Sequence, residues 1–256
     1  MTSTNIQRAS TDQSETTLLI DADLYLYRAL AATEYEDHWG DDVWTLINDH
    51  KKAKQIFRDN IKRFKERLNA KNVVMCITGP DNFRKTVSET YKGNRKSVRK
   101  PLGYRDFVQW CKDTYPHRME NQLEADDLMG IMATAPEADT IIVSDDKDML
   151  TIPSRLYFPS RGDLIDQTPA AADHAFLMQT LTGDSADGYS GCPGIGPVKA
   201  AKILGSRPDW SLVESTFIKA GLTKDDALTQ ARLARILRHE DWDATNNEVL
   251  LWGSQR

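Results

Sequence analysis

Short apolar runs that end on carboxylates constrain this chain more than any other feature. Thr17-Leu-Leu-Ile-Asp21 is too short for a helix and is closed by an acid, the pattern of a buried strand. Val73 to Thr78 is a second such run, stopped by Gly79-Pro80. Thr140-Ile-Ile-Val-Ser144 is a third, leading straight into Asp145 and Asp146. Apolar residues at helical spacing lie between and around these runs: Leu24 to Ala32, Val43 to Leu68, Gly103 to Lys112, and Glu124 to Ala135. Strands alternating with helices predict an α/β core with a central, mostly parallel sheet flanked by helices. Ligands of such sheets bind beyond the carboxyl ends of the strands. Two of the clearest strands deliver an aspartate to that edge.

Past Phe158, the residues Pro159, Gly162 and Pro169 predict a connection, in the form of a hairpin. The rest reads as mainly helical, interrupted by a Gly/Pro-dense segment from Gly183 to Gly205 and periodic again from Trp210 to Leu237. The expected division is a flexible polar tail over 1–16, an α/β core over 17–180 and a helical region over 181–256. Met1 to Thr17 has no basic stretch followed by an apolar one, and no apolar run approaches a membrane span. Cys76, Cys111 and Cys192 are scattered, and the five histidines have no ligand spacing, so disulfide and zinc frameworks are not expected. Reduced thiols fit a cytoplasmic protein.

Carboxylates cluster at four places: Asp21 with Asp23, Glu124-Ala-Asp126-Asp127, Asp145-Asp146-Lys147-Asp148, and Asp184 with Asp187. Glu124 and Asp127 share a helix face at i, i+3, as would Asp184 and Asp187 in a helical turn. Each pair alone could be a helix cap, where acids are favoured anyway. Gathered at one sheet edge, they could not all stay ionised without a counter-charge. Hard oxygen donors without His or Cys favour Mg²⁺ or Mn²⁺, and two such ions could clamp the attacking and leaving oxygens of a phosphodiester.

The formal charge of −5 hides an uneven distribution. Residues 84–105 hold eight Lys/Arg against one acid, with Phe83-Arg84-Lys85 and Tyr91-Lys92-Gly-Asn-Arg95-Lys96 interleaving cations and aromatics. Such a stretch suits phosphate contacts and base stacking. Residues 51–71 carry nine Lys/Arg and two acids, which a solvated helix face explains equally well. Residues 121–187 are the opposite, with thirteen acids and three cations. Gly191-Cys-Pro-Gly194-Ile195-Gly196-Pro-Val-Lys199 is a turn between helices whose glycines permit close backbone approach, while the next helix start points amides at a phosphate.

In combination these motifs resemble the flap endonuclease/5′→3′ exonuclease family, most closely its compact members from short-tailed phages. The resemblance runs from about Leu18 to Trp252. It rests on Leu-Leu-Ile-Asp21, Tyr91-Lys-Gly-Asn-Arg95, Glu124-Ala-Asp126-Asp127, Ser144-Asp-Asp146-Lys-Asp148 and Gly183-Asp184-x-x-Asp187 leading into Gly194-Ile-Gly196. It implies a PIN-like nuclease core with a basic arch at about 83–105, and a helix–hairpin–helix that grips duplex DNA, in some relatives around K⁺. It further implies a metal-dependent nuclease acting at 5′ ends or flaps of duplex DNA, RNA primers and RNA–DNA hybrids included. Asp21, Glu124, Asp126, Asp127, Asp146, Asp148, Asp184 and Asp187 match metal ligands. Lys92 and Arg95 match cations that steady the scissile phosphate, and Arg84, Lys85, Tyr91, Lys96, Gly194, Ile195, Gly196 and Lys199 are the further DNA-binding candidates. Two positions depart from the family pattern. Ala22 stands where a Gly is usual, and Thr78-Gly79-Pro80 replaces an acid after the second strand, leaving Asp81 as the nearest substitute. A PIN-like ribonuclease would not need the Gly194-Ile-Gly196 element, and a non-catalytic DNA-binding protein would not concentrate acids beside phosphates.

Overall fold

A computed structural model describes residues 14–253. Most of the expected tail, 1–13, lies outside the described residues; Ser14 to Thr16, expected in the tail, already belong to the first strand.

Strand β1 (Ser14–Asp21) is followed directly by α1 (Ala22–Ala31), and a hairpin of β2 (Glu34–His38) and β3 (Trp44–Asn48) leads to α2 (His50–Leu68) and β4 (Ala70–Cys76). A short α3 (Arg84–Val87) and a 3-10 turn over Gly93–Ser97 precede α4 (Tyr104–Thr114) and β5 (His117–Arg118). Then come α5 (Ala125–Ala133), β6 (Thr140–Val143), a 3-10 turn over Lys147–Thr151, and the hairpin of β7 (Arg155–Phe158) and β8 (Asp163–Asp166). The C-terminal helices are α6 (Pro169–Thr182), α7 (Pro197–Leu204), α8 (Trp210–Lys219) and α9 (Lys224–Ala234), followed by a small ribbon of β9 (Trp242–Asp243) and β10 (Glu248–Val249).

The main sheet runs β5-β4-β1-β6-β7-β8, parallel except for β8. From β1 the chain first builds outward through β4 and β5, then returns to add β6 on the other side of β1. The crevice between the ends of β1 and β6 is therefore the topological switch point, where open sheets of this kind bind ligands. Asp21 ends β1, and Ser144-Asp145-Asp146 follows β6, so the sheet brings both acidic motifs to this point.

One sheet face packs against α1, α2 and α4 through Leu18, Ile20, Phe57, Phe64 and Phe107. Residues Ala53, Phe57, Ile61 and Phe64 recur at helical spacing and give α2 its buried face. The other face is covered by α5 and the returning Ile236 and Leu237. A third cluster joins Tyr91 to α6, α7, α8 and α9. The expected division at 180/181 falls inside α6, whose Phe176, Leu177 and Leu181 belong to this third cluster.

The helix expected from Val43 starts later. Trp44 to Asn48 pair antiparallel with β2, and Asp49 then caps α2 by accepting the Lys52 amide at 2.9 Å. The helical periodicity of Trp210–Leu237 resolves into two helices, broken at Gly221, where φ is +82°, and ending at Ala234.

Gly130 sets how closely α5 approaches the C-terminal segment. A Cβ there would lie 2.2 Å from the Leu237 carbonyl oxygen, a backbone atom that cannot swing aside. Gly130→Ala gains about 1 kcal/mol of helix propensity, whereas forcing extra volume into a packed site costs about 1–3 kcal/mol. The clash is expected to win, lowering the urea midpoint; a raised midpoint would refute this account of the close approach.

Candidate active site

Asp21 is both the end of β1 and the N-cap of α1, its Oδ1 accepting the Leu24 amide at 3.2 Å. Its other oxygen accepts the Ser144 hydroxyl at 2.7 Å, and that hydroxyl accepts the Asp146 amide at 3.1 Å. Ser144 thus ties the ends of β1 and β6 together. Asp146 in turn accepts the Asp148 amide at 2.9 Å. Ala22 is buried and has no positive φ, so a methyl group fits where a glycine had been the family expectation.

Glu124 caps α5 and forms a reciprocal capping box with Asp127, which places Asp126 in the first helical turn. The helix N-terminus favours negative charge there. The opposite wall comes from the segment between α3 and α4. Lys92 adopts a left-handed conformation, with φ +52°, rare for a side chain of this kind. Its amide donates to the Asp187 carbonyl at 2.8 Å, while its ammonium pairs with Glu124 and lies 3.6 Å from Asp187. Arg95 pairs with Asp187, and the Tyr91 hydroxyl sits between Glu124 and Asp187 at 3.0 and 3.1 Å.

These groups open onto a cleft of about 920 Å³ lined by Asp21, Asp23, Glu124, Asp126, Asp145 and Asp146 on the acidic side and by Lys92, Arg95 and Lys100 on the basic side. Lys147 forms a partition. It bridges Asp148 at 2.8 Å and Asp184 at 3.2 Å, and also lines a neighbouring hollow of about 600 Å³ that Asp184 borders. Asp184 and Asp187 do not share a helical turn. They lie in a loop closed by pairing between Asp184 and Tyr189, in which Asp184 accepts the Ala186 amide at 2.7 Å.

The electrostatics separate the acids. Burial pushes Asp21 up to about 6 despite the Ser144 hydroxyl, and burial together with the charges of Asp21 and Asp146 pushes Asp126 well above the ordinary range. Burial also raises Asp148, with Lys147 opposing. Glu124 is the counter-example: burial would raise it, but Arg84 and Lys92 hold it at about 2. Burial is likewise outweighed at Asp184, which the Ala186 amide and Lys147 keep below the usual carboxylate value.

Several expected residues sit elsewhere. Asp127 is completely buried and is held by the Arg84 guanidinium through bonds of 2.8 and 2.7 Å, so no oxygen faces the cleft. Arg84 is itself 2% exposed and also donates to the Leu233 and Arg235 carbonyls, which removes it from any DNA surface. Tyr91 is buried, its ring packed with the C-terminal helices rather than offered to a base. Asp81 is exposed on a loop, its amide bonded to the Asn121 carbonyl, and does not line the cleft. Lys85 is exposed on α3 away from the cleft, and the side chain of Lys96 lies outside what is described. Gly194, Ile195 and Gly196 form a separate surface turn before α7, and Lys199 in the first turn of that helix reaches back, its ammonium 2.9 Å from the Gly194 carbonyl.

Ser144, Tyr104 and Lys147 join the site without having been singled out for it, and Asp23, expected in the acidic cluster but not among the matched ligands, lines the cleft. Asp23 accepts the Thr78 amide at 3.0 Å and the Tyr104 hydroxyl at 3.1 Å, so it supplies an acid beside the second strand end, where Asp81 does not. Asp145 is neutralised by Arg28. Among the described residues no three acidic, His or Cys side chains close around one point as a ready-made metal cage. The donor chemistry nevertheless fits a hard divalent cation: the cleft offers oxygen donors, its carboxylates together with the hydroxyl-bearing Tyr27, Thr78 and Tyr104, and the upward shift of Asp21 and Asp126 is what carboxylates without a counter-charge show.

An acid-lined switch-point cleft facing a wall of cations, beside a helical region with a Gly-rich turn, is the arrangement the resemblance to 5′-nucleases implies. Residues 16–158 match the 5′-3′ exonuclease N-terminal, resolvase-like domain. The exodeoxyribonuclease of Enterobacteria phage T3 and the exonuclease of Escherichia phage T7 are each 33% identical to the chain, the alignments covering 92% of this chain and 92% of the relative. The fold is shared with the T5 5′-exonuclease solved with divalent zinc, at TM-score 0.55 and 15% identity over 86% of this chain and 93% of that one. It is also shared with the catalytic core of Rad2 in complex with DNA, at TM-score 0.54 and 15% identity over 94% of this chain and 74% of that one. The chain belongs to the 5′-3′ exonuclease family.

The Arg84–Asp127 pair gives a direct test of the scaffold. Arg84→Met leaves a buried carboxylate without its partner, which costs about 3–5 kcal/mol. The double change Arg84→Met/Asp127→Leu is expected to recover much of that loss in chemical denaturation. A single variant as stable as the parent would show that the pair does not hold α5 to the C-terminal segment.

Proposed function

We propose that this chain hydrolyses phosphodiester bonds of duplex DNA from 5′ ends and at 5′ flaps, and removes RNA primers from hybrids, in the cytoplasm of the cell that hosts it. The observation that carries the reading is the apposition, across one cleft, of Asp21, Asp126 and Asp146 with Lys92 and Arg95. No helix among the described residues is long and apolar enough to cross a membrane.

In this reading Asp21, Glu124, Asp126 and Asp146 hold one divalent ion, and Asp148, Asp184 and Asp187 a second. Mg²⁺ or Mn²⁺ bound there would neutralise the cleft and supply Lewis acidity at the phosphodiester. Asp127 and Asp81 drop out of the ligand set for the reasons of burial and position given above. Lys92 and Arg95, now paired with Glu124 and Asp187, exchange those partners for the scissile phosphate, so that binding substrate frees the carboxylates for cations. Ser144 keeps Asp21 and Asp146 oriented. The Gly194–Gly196 turn offers open backbone to a duplex phosphate, and K⁺ held at that turn would supply positive charge there. Lys199 contributes a further cation once it leaves the Gly194 carbonyl.

Cleavage of a 5′-labelled duplex is expected to need Mg²⁺ or Mn²⁺ and to stop in excess chelator. Asp146→Ala or Asp148→Ala should lower it by roughly 10²–10³-fold or more while DNA binding survives. Cleavage that persists in chelator, or in those variants, would defeat the reading. Run on blunt, nicked, flapped and RNA–DNA substrates, the same assay ranks them.

Metal binding has a second, non-catalytic signature. The folded-state value of Asp21, about 6 against an ordinary 3.8, means that the native protein takes up this proton on folding between those values. Metal-free protein therefore gains stability from this group as pH falls from 7 towards 4. Added Mg²⁺ should raise Tm at pH 7 and lose most of that effect by pH 5, where the proton competes for Asp21. A Mg²⁺ shift as large at pH 5 as at pH 7 would remove Asp21 from the ligands.

A further inference from the structure

Helix α2 carries more charge than its place in the core requires. Lys51, Lys54, Arg58, Lys62 and Lys65 recur at i, i+3, i+7, i+11 and i+14, which sets them along one side of the helix, beside its buried face. The row spans about 21 Å at 1.5 Å per residue. Among the described residues only Lys62 has a recorded acidic partner in this row, Glu66 at 3.9 Å, a contact between two exposed side chains. Lys54 and Arg58 both stand over the half-buried ring of Trp110 in α4, 5.3 and 5.2 Å from its centroid.

The row begins beside the cleft. His50, the first residue of α2, meets the Leu102 carbonyl at 3.2 Å, and Gly103 packs against its imidazole. Leu102 and Gly103 end the segment whose Lys92, Arg95 and Lys100 line the cleft. That segment is fixed at both ends: Asn94 and Arg95 bond the carbonyls of the 185–187 loop, and Arg99 pairs with Glu34. A positive track therefore continues from the cleft wall, past Lys100, onto α2.

We propose that α2 is the exit path for single-stranded nucleic acid, holding the 5′ extension after it has passed the cleft. The inference rests on the reading of the cleft as a site for 5′ ends. A row one side chain wide, with about one cation per 5.4 Å helical turn, matches the phosphates of a single extended strand. The two strands of a duplex would need a broader field. Trp110, itself stacked on Phe107 at 5.0 Å, anchors Lys54 and Arg58 on this side of the helix, so that the row is held in place rather than free in solvent.

Affinity measured in EDTA, where cleavage is suppressed, separates the possibilities. The probes are a flush-ended duplex and the same duplex with a 5′ single-stranded extension of about 20 nucleotides. Lys51→Gln/Lys54→Gln/Arg58→Gln/Lys62→Gln should weaken the extended probe about ten-fold or more and flatten its log K against log salt slope by about 2.8, four contacts at 0.7 each. The flush duplex should change less than about two-fold. The charge-keeping variant Lys51→Arg/Lys54→Arg/Arg58→Lys/Lys62→Arg should behave as the parent, which guards against a folding effect. Equal loss on both probes would make α2 a duplex surface, and no loss on either would make it a solvated face; each overturns the proposal. Cleavage of the flush duplex in Mg²⁺ is read separately. A parent protein that binds the extended probe through α2 but cuts nothing would sink the catalytic reading and leave the exit path standing.

Discussion

The Arg84 guanidinium is the joint on which the site depends. It lies out of water between α3, α5 and the chain leaving α9, and its donors meet Asp127, Glu124 and the carbonyls of Leu233 and Arg235. Asp127 completes the joint by accepting the Leu237 amide at 3.1 Å and the Glu124 amide at 3.1 Å. An arginine is needed because its planar fork can satisfy a carboxylate in two-point fashion and still reach two carbonyls. A lysine would leave buried acceptors unmade, each costly in a dry interior. Through this joint the C-terminal helices set the position of Glu124, although none of them lines the main cleft.

Charge in the cleft is held in a deliberate imbalance. Asp21 and Asp126 are left without a cationic partner among the described residues, so burial and repulsion drive them towards protonation. Glu124, by contrast, shares three partners, Arg84, Lys92 and Tyr91, and is held at about 2, well below the usual carboxylate range. A set of acids divided in this way is poised for two kinds of visitor. The under-neutralised pair attracts a cation, and the lysine and arginine paired across the cleft can turn to an anion. A phosphodiester with its counter-ions supplies both, which explains why opposite charges face each other here instead of cancelling in place.

Local pattern made the sheet, the strand–acid junctions and the helix starts of α1, α4 and α5 legible, because each is set within a few residues. Thr17 to Asp21 could only be a strand, and Glu124 with Asp127 could only begin a helix. Tertiary partners made other parts illegible. Arg84 and Asp127 stand in motifs that looked functional, and only the return of Leu233 to Leu237, more than a hundred residues later, buries them. Trp44 to Asn48 has apolar residues at spacings that suit a helix or a strand, and pairing with β2 decides between them. Lys147 stands between acids in the sequence, and the loop carrying Asp184, distant along the chain, makes it a bridge.

The distribution of charge along the chain follows from the same division of labour. Acids gather where backbone geometry can hold them in pairs: at helix N-termini, where the dipole offsets part of their repulsion, and at the ends of strands. Cations gather on one long helix, where regular spacing makes a row and water screens neighbours from each other. Reversing the two arrangements would fail. A dry pocket of lysines would lose its protons, and an acidic helix beside the cleft would repel a strand leaving it. The near-neutral total is therefore a sum of two fields pointing along one path, from the solvated flank of α2, across Lys100 and Arg95, to the carboxylates at the switch point.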